Sequence, residues 1–139
     1  MIISLISSCG DIPTCLDVET SLVKINFIDE SGTEKPITLR SLTAIGNEMG
    51  FLEYADTTLS NFQLSLNPGS TITTFILEQE TVTDTLALSY EVIAKLISPE
   101  CGLDAAFTKL DTAFTTYNQL EIVNMSIHKE VTVNIEITL

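Results

Sequence analysis

Val131-Thr132-Val133-Asn134-Ile135-Glu136-Ile137-Thr138-Leu139 alternates apolar and polar residues through nine positions. In an extended chain successive side chains point to opposite faces, so such a run buries one face and wets the other. It reads as a half-buried β-strand and points to a sheet protein. Moving back toward the N-terminus, the same period of two returns. Leu120 to Ile127 is strand-like, separated from the last run by His128-Lys129-Glu130. Leu86, Leu88, Tyr90 and Val92 alternate, and a nearly continuous apolar stretch, Ile93 to Ile97, follows until Ser98-Pro99-Glu100-Cys101-Gly102 ends it. Leu103 to Leu110 admits two readings, a helical turn from the spacing of Leu103, Phe107 and Leu110, or an extended segment.

Earlier still, Phe62, Leu64 and Leu66 alternate as far as Asn67-Pro68-Gly69, a turn signal. Thr71 to Leu77 is the expected hairpin partner of that strand. Leu22 to Ile28 places Val23, Ile25 and Phe27 on one face and Lys24 and Asn26 on the other. Asp29-Glu30-Ser31-Gly32 then turns the chain, Ile37 to Ile45 reads as the returning strand, and Phe51 to Tyr54 as a short one. Short strands with turn signals at this rhythm predict an all-β fold, an antiparallel β-sandwich of about eight or nine strands, with a barrel as the second reading.

Composition agrees. Nineteen of the 139 residues are Thr, which is β-branched and suits a half-exposed pleated surface. Aromatics make up 6% with no Trp, so the core must rest on Leu, Ile, Val and Phe. One domain's worth of chain is long enough to bury such a core. Nineteen carboxylates against six Lys and Arg give a formal charge of −13. That surface repels nucleic acid, which needs a basic footprint. It repels anionic headgroups as well, so any association with a membrane requires an anchor.

The first ten residues supply a candidate. Met1-Ile2-Ile3-Ser4-Leu5-Ile6-Ser7-Ser8-Cys9-Gly10 is an apolar stretch ending in small residues just before a Cys. A lipobox places an aliphatic residue three before the acylated Cys and small residues beside it, and Ile6, Ser7 and Ser8 fit. The apolar stretch is shorter than an ordinary signal peptide and lacks a positive n-region. On this reading residues 1–8 are a residual signal-peptide segment, 9–20 a lipidated Cys9 and its tether, and 21–139 a β-sandwich domain. Three cysteines are an odd number. If Cys9 carries lipid, Cys15 and Cys101 remain to form one pair; the alternative is three reduced cysteines in a cytosolic protein. A bridge across that separation stabilises by at most about 4–5 kcal/mol on the chain-entropy account.

Catalytic signatures are absent from the sequence. Its single His, His128, lies between two strand runs, and there is no GxSxG elbow, no phosphate-binding glycine motif and no HExxH. No CxxC or Cys/His cluster offers a zinc site. Asp29 to Glu34 has oxygen ligands around a turn, with Asp17 and Glu19 earlier in the chain, but the EF-hand pattern is not met. The expectation is a protein that is not an enzyme and uses no cofactor and no metal.

Taken in order, several pieces resemble an uncharacterised lipoprotein family of the Bacteroidota, a domain of unknown function. They are Cys9 with Cys15 shortly after it, Leu22 to Asp29, Gln63 to Asn67, Phe75 to Leu77 and Thr83 to Glu91. Ile97 to Gly102 with Phe107 five residues on, Leu120 to Ile127 and the terminal alternating strand complete the set. The resemblance implies lipidation at Cys9, a Cys15–Cys101 disulfide and an outer-membrane address, on the cell surface or the periplasmic face; it implies no activity. Two roles follow as expectations. The first is a non-catalytic interaction module or accessory subunit, held to the lipid bilayer through acylated Cys9 and docking on an outer-membrane β-barrel protein or complex. The second is a surface adhesin or fibre subunit in which Val131 to Leu139 completes a neighbour's sheet by strand addition.

Overall fold

A computed structural model describes residues 22–45, 51–98, 102–127 and 131–139. Ten strands fall within them: β1 Leu22–Ile28, β2 Ile37–Leu39, β3 Ser41–Ala44, β4 Thr57–Leu59, β5 Asn61–Ser65, β6 Ile72–Glu78, β7 Thr83–Ser98, β8 Gly102–Thr115, β9 Gln119–Ile122 and β10 Ile135–Thr138. One four-stranded sheet runs β5-β1-β10-β9, a second β3-β6-β7-β8, and β2 and β4 form a small third ladder. Among the described residues no sheet closes into a barrel, and the architecture is the all-β sandwich that the alternation predicts.

The core lies between the two larger sheets. Val23, Ile25 and Phe27 of β1, Phe62 and Leu64 of β5, and Ile135 and Ile137 of β10 come from one side. Leu42, Phe75, Leu77, Leu86, Leu88 and Leu110 come from the other. Each is a period-two apolar position in its strand, and burying each contributes roughly 1.5–3 kcal/mol. Phe27 is the hinge of the aromatic packing: its ring lies 5.8 Å from that of Phe62 and 5.8 Å from that of Tyr117, both edge-on.

Alternation marks the strands correctly but not always their partners. Among the described residues all ladders are antiparallel except β1–β10, which is parallel, with Ile25 opposite Ile135 and Phe27 opposite Ile137. The C-terminal strand is therefore central, flanked by β1 and by β9. Both of its edges are paired within the chain.

The expected hairpin of Phe62–Leu66 with Thr71–Leu77 does not form. β5 pairs with β1, whereas β6 pairs with β3 and β7 in the opposite sheet. Residues 66–71 carry the chain across the core, because Leu64 and Phe75 face each other's layer and cannot share one sheet. The Tyr90 hydroxyl holds that crossing by donating to the Asn67 carbonyl at 2.7 Å. It also shares a 2.6 Å hydrogen bond with Thr73 Oγ1, which accepts from the Asn67 N–H at 3.0 Å.

The single strand expected over Ile37 to Ile45 splits at Arg40. β2 joins β4, and β3 joins β6. The Arg40 N–H donates to the Glu78 carbonyl at 2.7 Å, while its own carbonyl accepts from Asp56. Leu39 and Leu42 are both buried and three apart, so the period slips there by one residue and switches the chain between layers. Phe51–Tyr54 is not a strand but leads into a 3₁₀ turn, Leu52–Tyr54, whose Tyr54 ring packs 5.0 Å from Phe62. Leu103 to Leu110 resolves as extended, within β8. Strand structure in Leu120 to Ile127 ends at Ile122, with one further bridge from Ile127 to Phe107.

Candidate functional site

The residues singled out for chemistry fall mostly beyond view. Cys9, Cys15, Cys101, His128, Asp17 and Glu19 all lie outside the described residues. In sequence, Cys101 stands between Ser98, the last residue of β7, and Gly102, the first of β8. The two strands that flank Cys101 in sequence are described as far as Ser98 and from Gly102.

β6 ends its pairing at Ile72 opposite Ser89, yet β7 continues to Ser98 and β8 returns from Gly102. From Glu91 outward the two strands pair with each other, in register from Glu91 with Thr108 to Leu96 with Leu103, and after one more shift Ser98 with Gly102. Eight residues of β7 at about 3.3 Å each make this stretch roughly 26 Å long. A bulge in β8 precedes it: Leu88 faces Thr112 and Glu91 faces Thr108, and Lys109 between them has φ of 55°. Its ammonium lies 3.3 Å from Glu91, an exposed pair of small energetic weight.

Directly opposed residues of an antiparallel ladder share a face. Ile72 opposes Ser89, Ala87 opposes Thr74 and Phe114, and Ile93 opposes Ala106, so all of these lie on the solvent side of the β3-β6-β7-β8 sheet. On that side Ile72, Ile93 and Phe114 are 48%, 50% and 58% exposed. In a chain of charge −13, these three side chains put apolar area on that face. Sequence alternation missed it because a face is assigned only once register is known. The usable signal was that Ile72 is out of phase with the buried Phe75; Phe114 is in phase with the buried Leu110, and only the register shift between Ala87 and Leu88 turns it outward.

The turn after β1 is saturated by its own hydrogen bonds. Asp29 Oδ1 accepts from the Ser31 N–H at 2.9 Å, the Ser31 hydroxyl at 2.6 Å and the Thr33 N–H at 3.0 Å. The Ser31 hydroxyl, and then the Thr33 amide, hold the Asp29 carboxyl below its ordinary range. Glu34 Oε1 accepts from Ser60 Oγ at 2.6 Å and Asn61 Nδ2 at 2.8 Å, and these lower its pKa in that order. Among the described residues no three acidic, His or Cys side chains come together as metal ligands.

These two carboxylates give a signed pH dependence. Their folded pKa values lie below the ordinary 3.8 and 4.5, so the stabilisation is present above about pH 4.5 and is lost as pH falls through the depressed values. We expect the double variant Asp29→Asn, Glu34→Gln to show a shallower loss of stability on acidification than the parent. Urea unfolding from pH 6 to pH 3 measures it, and parallel curves for the two proteins would refute it.

A cleft of about 340 Å³ between Glu30, Asp84, Tyr117 and Asn118 is open and polar. Asp84 there accepts from Thr116 Oγ1 at 2.7 Å. The Tyr117 hydroxyl is buried and, among the described residues, has no hydrogen-bond partner. Burial, and secondarily the Asp84 charge, push its pKa well up, so it stays protonated at neutral pH and is unsuited to act as a base. Its hydroxyl is a net cost to the fold. Tyr117→Phe is expected to raise stability by about 1 kcal/mol while keeping the ring contact with Phe27. A lower midpoint in urea would show that the hydroxyl has a partner in solution.

No curated protein and no solved structure matches the chain. The profile of a family of unknown function (DUF6452) does, over residues 41–139, from β3 through the last strand. With most of its length covered, the chain belongs to the DUF6452 family of unknown function.

Proposed function

We propose that this protein is a lipid-anchored, non-catalytic interaction module of the outer membrane, docking on a β-barrel protein there as an accessory subunit. The observation that carries the reading is the apolar outer face of the β3-β6-β7-β8 sheet, with Ile72, Ile93 and Phe114 half exposed. Cys9 supplies the anchor and Cys15–Cys101 the exported disulfide, in keeping with the lipobox pattern and with the pairing of thiols in oxidising compartments. A tether of about a dozen residues reaches at most about 40 Å, which confines any partner to the membrane surface. Several acyl chains on one Cys make such attachment stable where a single chain is marginal.

Phe114→Glu tests the face, and Cys9→Ser tests the anchor. Crosslinking in intact outer membranes should recover a β-barrel protein with the parent chain, and about tenfold less with Phe114→Glu, a loss of roughly 1.4 kcal/mol of binding. Cys9→Ser should abolish lipid labelling and release the protein into the soluble fraction. If the parent recovers no barrel protein, the docking role is wrong; if Cys9→Ser fractionates unchanged, so is the anchor.

A further inference from the structure

We propose that the cleft between Asp84 and Tyr117, at the mouth of the sandwich, is a binding site for an alkylguanidinium group, the head of an arginine side chain. The core-facing column of β7 runs Leu88, Leu86, Asp84, because Asp84 opposes the buried Leu77 and directly opposed residues share a face. An inward column that closes on a carboxylate puts negative charge at the opening between the sheets. Tyr117, in the turn from β8 to β9, lines the same cleft from the core side, where its ring lies edge-on to Phe27. It is 9% exposed, and its hydroxyl has no hydrogen-bond partner among the described residues. Glu30 adds a second carboxylate, and no Lys or Arg lines the cleft. The site stands apart from the outer face that carries Phe114, and it rests on neither the proposed docking role nor the anchor.

Both acceptors are held in place by the protein itself. Thr116 Oγ1 donates to Asp84 Oδ1 at 2.7 Å and accepts from the Thr85 N–H at 3.0 Å. Thr115 Oγ1 accepts from the Tyr117 N–H at 3.1 Å and donates to the Thr85 carbonyl at 3.1 Å. Asp84 Oδ2 is left without a donor among the described residues. Buried polar groups are ordinarily bonded, so an orphan hydroxyl near a half-used carboxylate marks a partner that the chain does not supply. Burial first, and then the Asp84 charge, keep the proton on Tyr117, so its oxygen accepts without adding a third negative charge. The chemistry of the lining selects the guest. Calcium takes about six to eight oxygens, and no third acidic, His or Cys side chain joins these two carboxylates. A water would bond the hydroxyl but leave both charges unmet. A guanidinium is always charged, weakly hydrated, and carries several N–H donors in one plane. One N–H meets Asp84 Oδ2 and another the Tyr117 oxygen, with Glu30 at the rim. A space of about 340 Å³ holds that head group and part of its stem, with Leu139 on the wall.

Backbone amide shifts of the full chain, followed by NMR, test it with n-butylguanidinium as the probe and n-butylurea as its uncharged counterpart. The amides of Asp84, Thr116, Tyr117 and Asn118 should shift saturably with a Kd on the order of 1–10 mM, while n-butylurea should not saturate. Asp84→Asn keeps the acceptor for Thr116 and should weaken binding at least about tenfold; Tyr117→Phe should weaken it by about threefold to fivefold. Both variants are close in shape to the parent, and circular dichroism checks that they fold. N-acetylarginine N-methylamide separates the two sources of such a group. If it binds as n-butylguanidinium does, the site admits an arginine of a polypeptide; if only n-butylguanidinium binds, the site takes small free guanidines, and either result upholds the guanidinium assignment. An absence of saturation up to about 50 mM would overturn the proposal. Equal shifts with n-butylurea would overturn it as well, by showing an adventitious additive only. Unchanged affinity in Asp84→Asn would assign the attraction to the overall charge of −13, and unchanged affinity in Tyr117→Phe would remove the hydroxyl from the site; each refutes it. Calcium chloride that shifts the same amides at lower concentration would replace the guanidinium with a metal.

Discussion

A chain that stops at residue 130 should not fold. β10 is the parallel neighbour of β1 and the antiparallel neighbour of β9, so its removal leaves β1 with β5 alone and β9 with no ladder. Ile135 and Ile137, both fully buried, go with it, and so does Val131. At roughly 1.5–3 kcal/mol for each buried side chain, the lost burial alone approaches the 5–15 kcal/mol by which ordinary domains are stable. Asn134, with six hydrogen bonds to β1 and to residues 123–126, is removed as well. Circular dichroism of the truncated chain should show no cooperative thermal transition where the full chain shows one. The same experiment separates the two expected roles. A truncated chain that folds as a monomer but no longer polymerises would favour the adhesin built by strand exchange. An unfolded one makes the strand an integral part of its own domain.

Much of the fold was legible because period-two alternation is a local property. Val23-Ile25-Phe27, Phe62-Leu64 and Leu86-Leu88-Tyr90 each declare a strand and its buried face without reference to anything distant. Pairing is not local. Nothing around Asn67-Pro68-Gly69 distinguishes a hairpin from a crossing between layers, since both need a turn and two alternating strands. The difference lies in Tyr90, twenty-three residues away, whose hydroxyl ties Asn67 to Thr73 across the step. The split at Arg40 was more accessible, because the three-residue gap between Leu39 and Leu42 breaks the period within the sequence itself. The candidate interaction face stayed hidden for the same reason as the pairing: Ile72, Ile93 and Phe114 become one surface only when three strands are set in register.

Asn134 is the sharpest case of a residue whose sequence context misleads, and it carries the other large expected effect. Its place in the C-terminal alternation assigns it to solvent, yet it is fully buried. The side-chain amide explains why. Oδ1 accepts from the Lys24 N–H at 3.0 Å, and Nδ2 donates to the carbonyls of Asn124 at 3.0 Å and Ser126 at 2.9 Å. One amide thus satisfies three backbone groups that β10 is too short to reach by its own ladder. Asn134→Leu fills the space and leaves all three without a partner. With each unsatisfied buried group costing about 1–3 kcal/mol, we expect a loss of about 3–5 kcal/mol in urea unfolding. Asn134→Asp separates hydrogen bonding from volume. It retains the acceptor for Lys24 but turns a donor into an oxygen that faces two carbonyls, so the ionised form is penalised and the folded pKa rises. A raised carboxyl favours the folded state below its unfolded pKa and loses that advantage as pH rises through the folded value. Asn134→Asp should therefore be weak at pH 7 and recover part of its stability near pH 4, whereas Asn134→Leu should not. If both variants unfold with the parent midpoint at pH 7, the amide is not what holds residues 123–126 to β1.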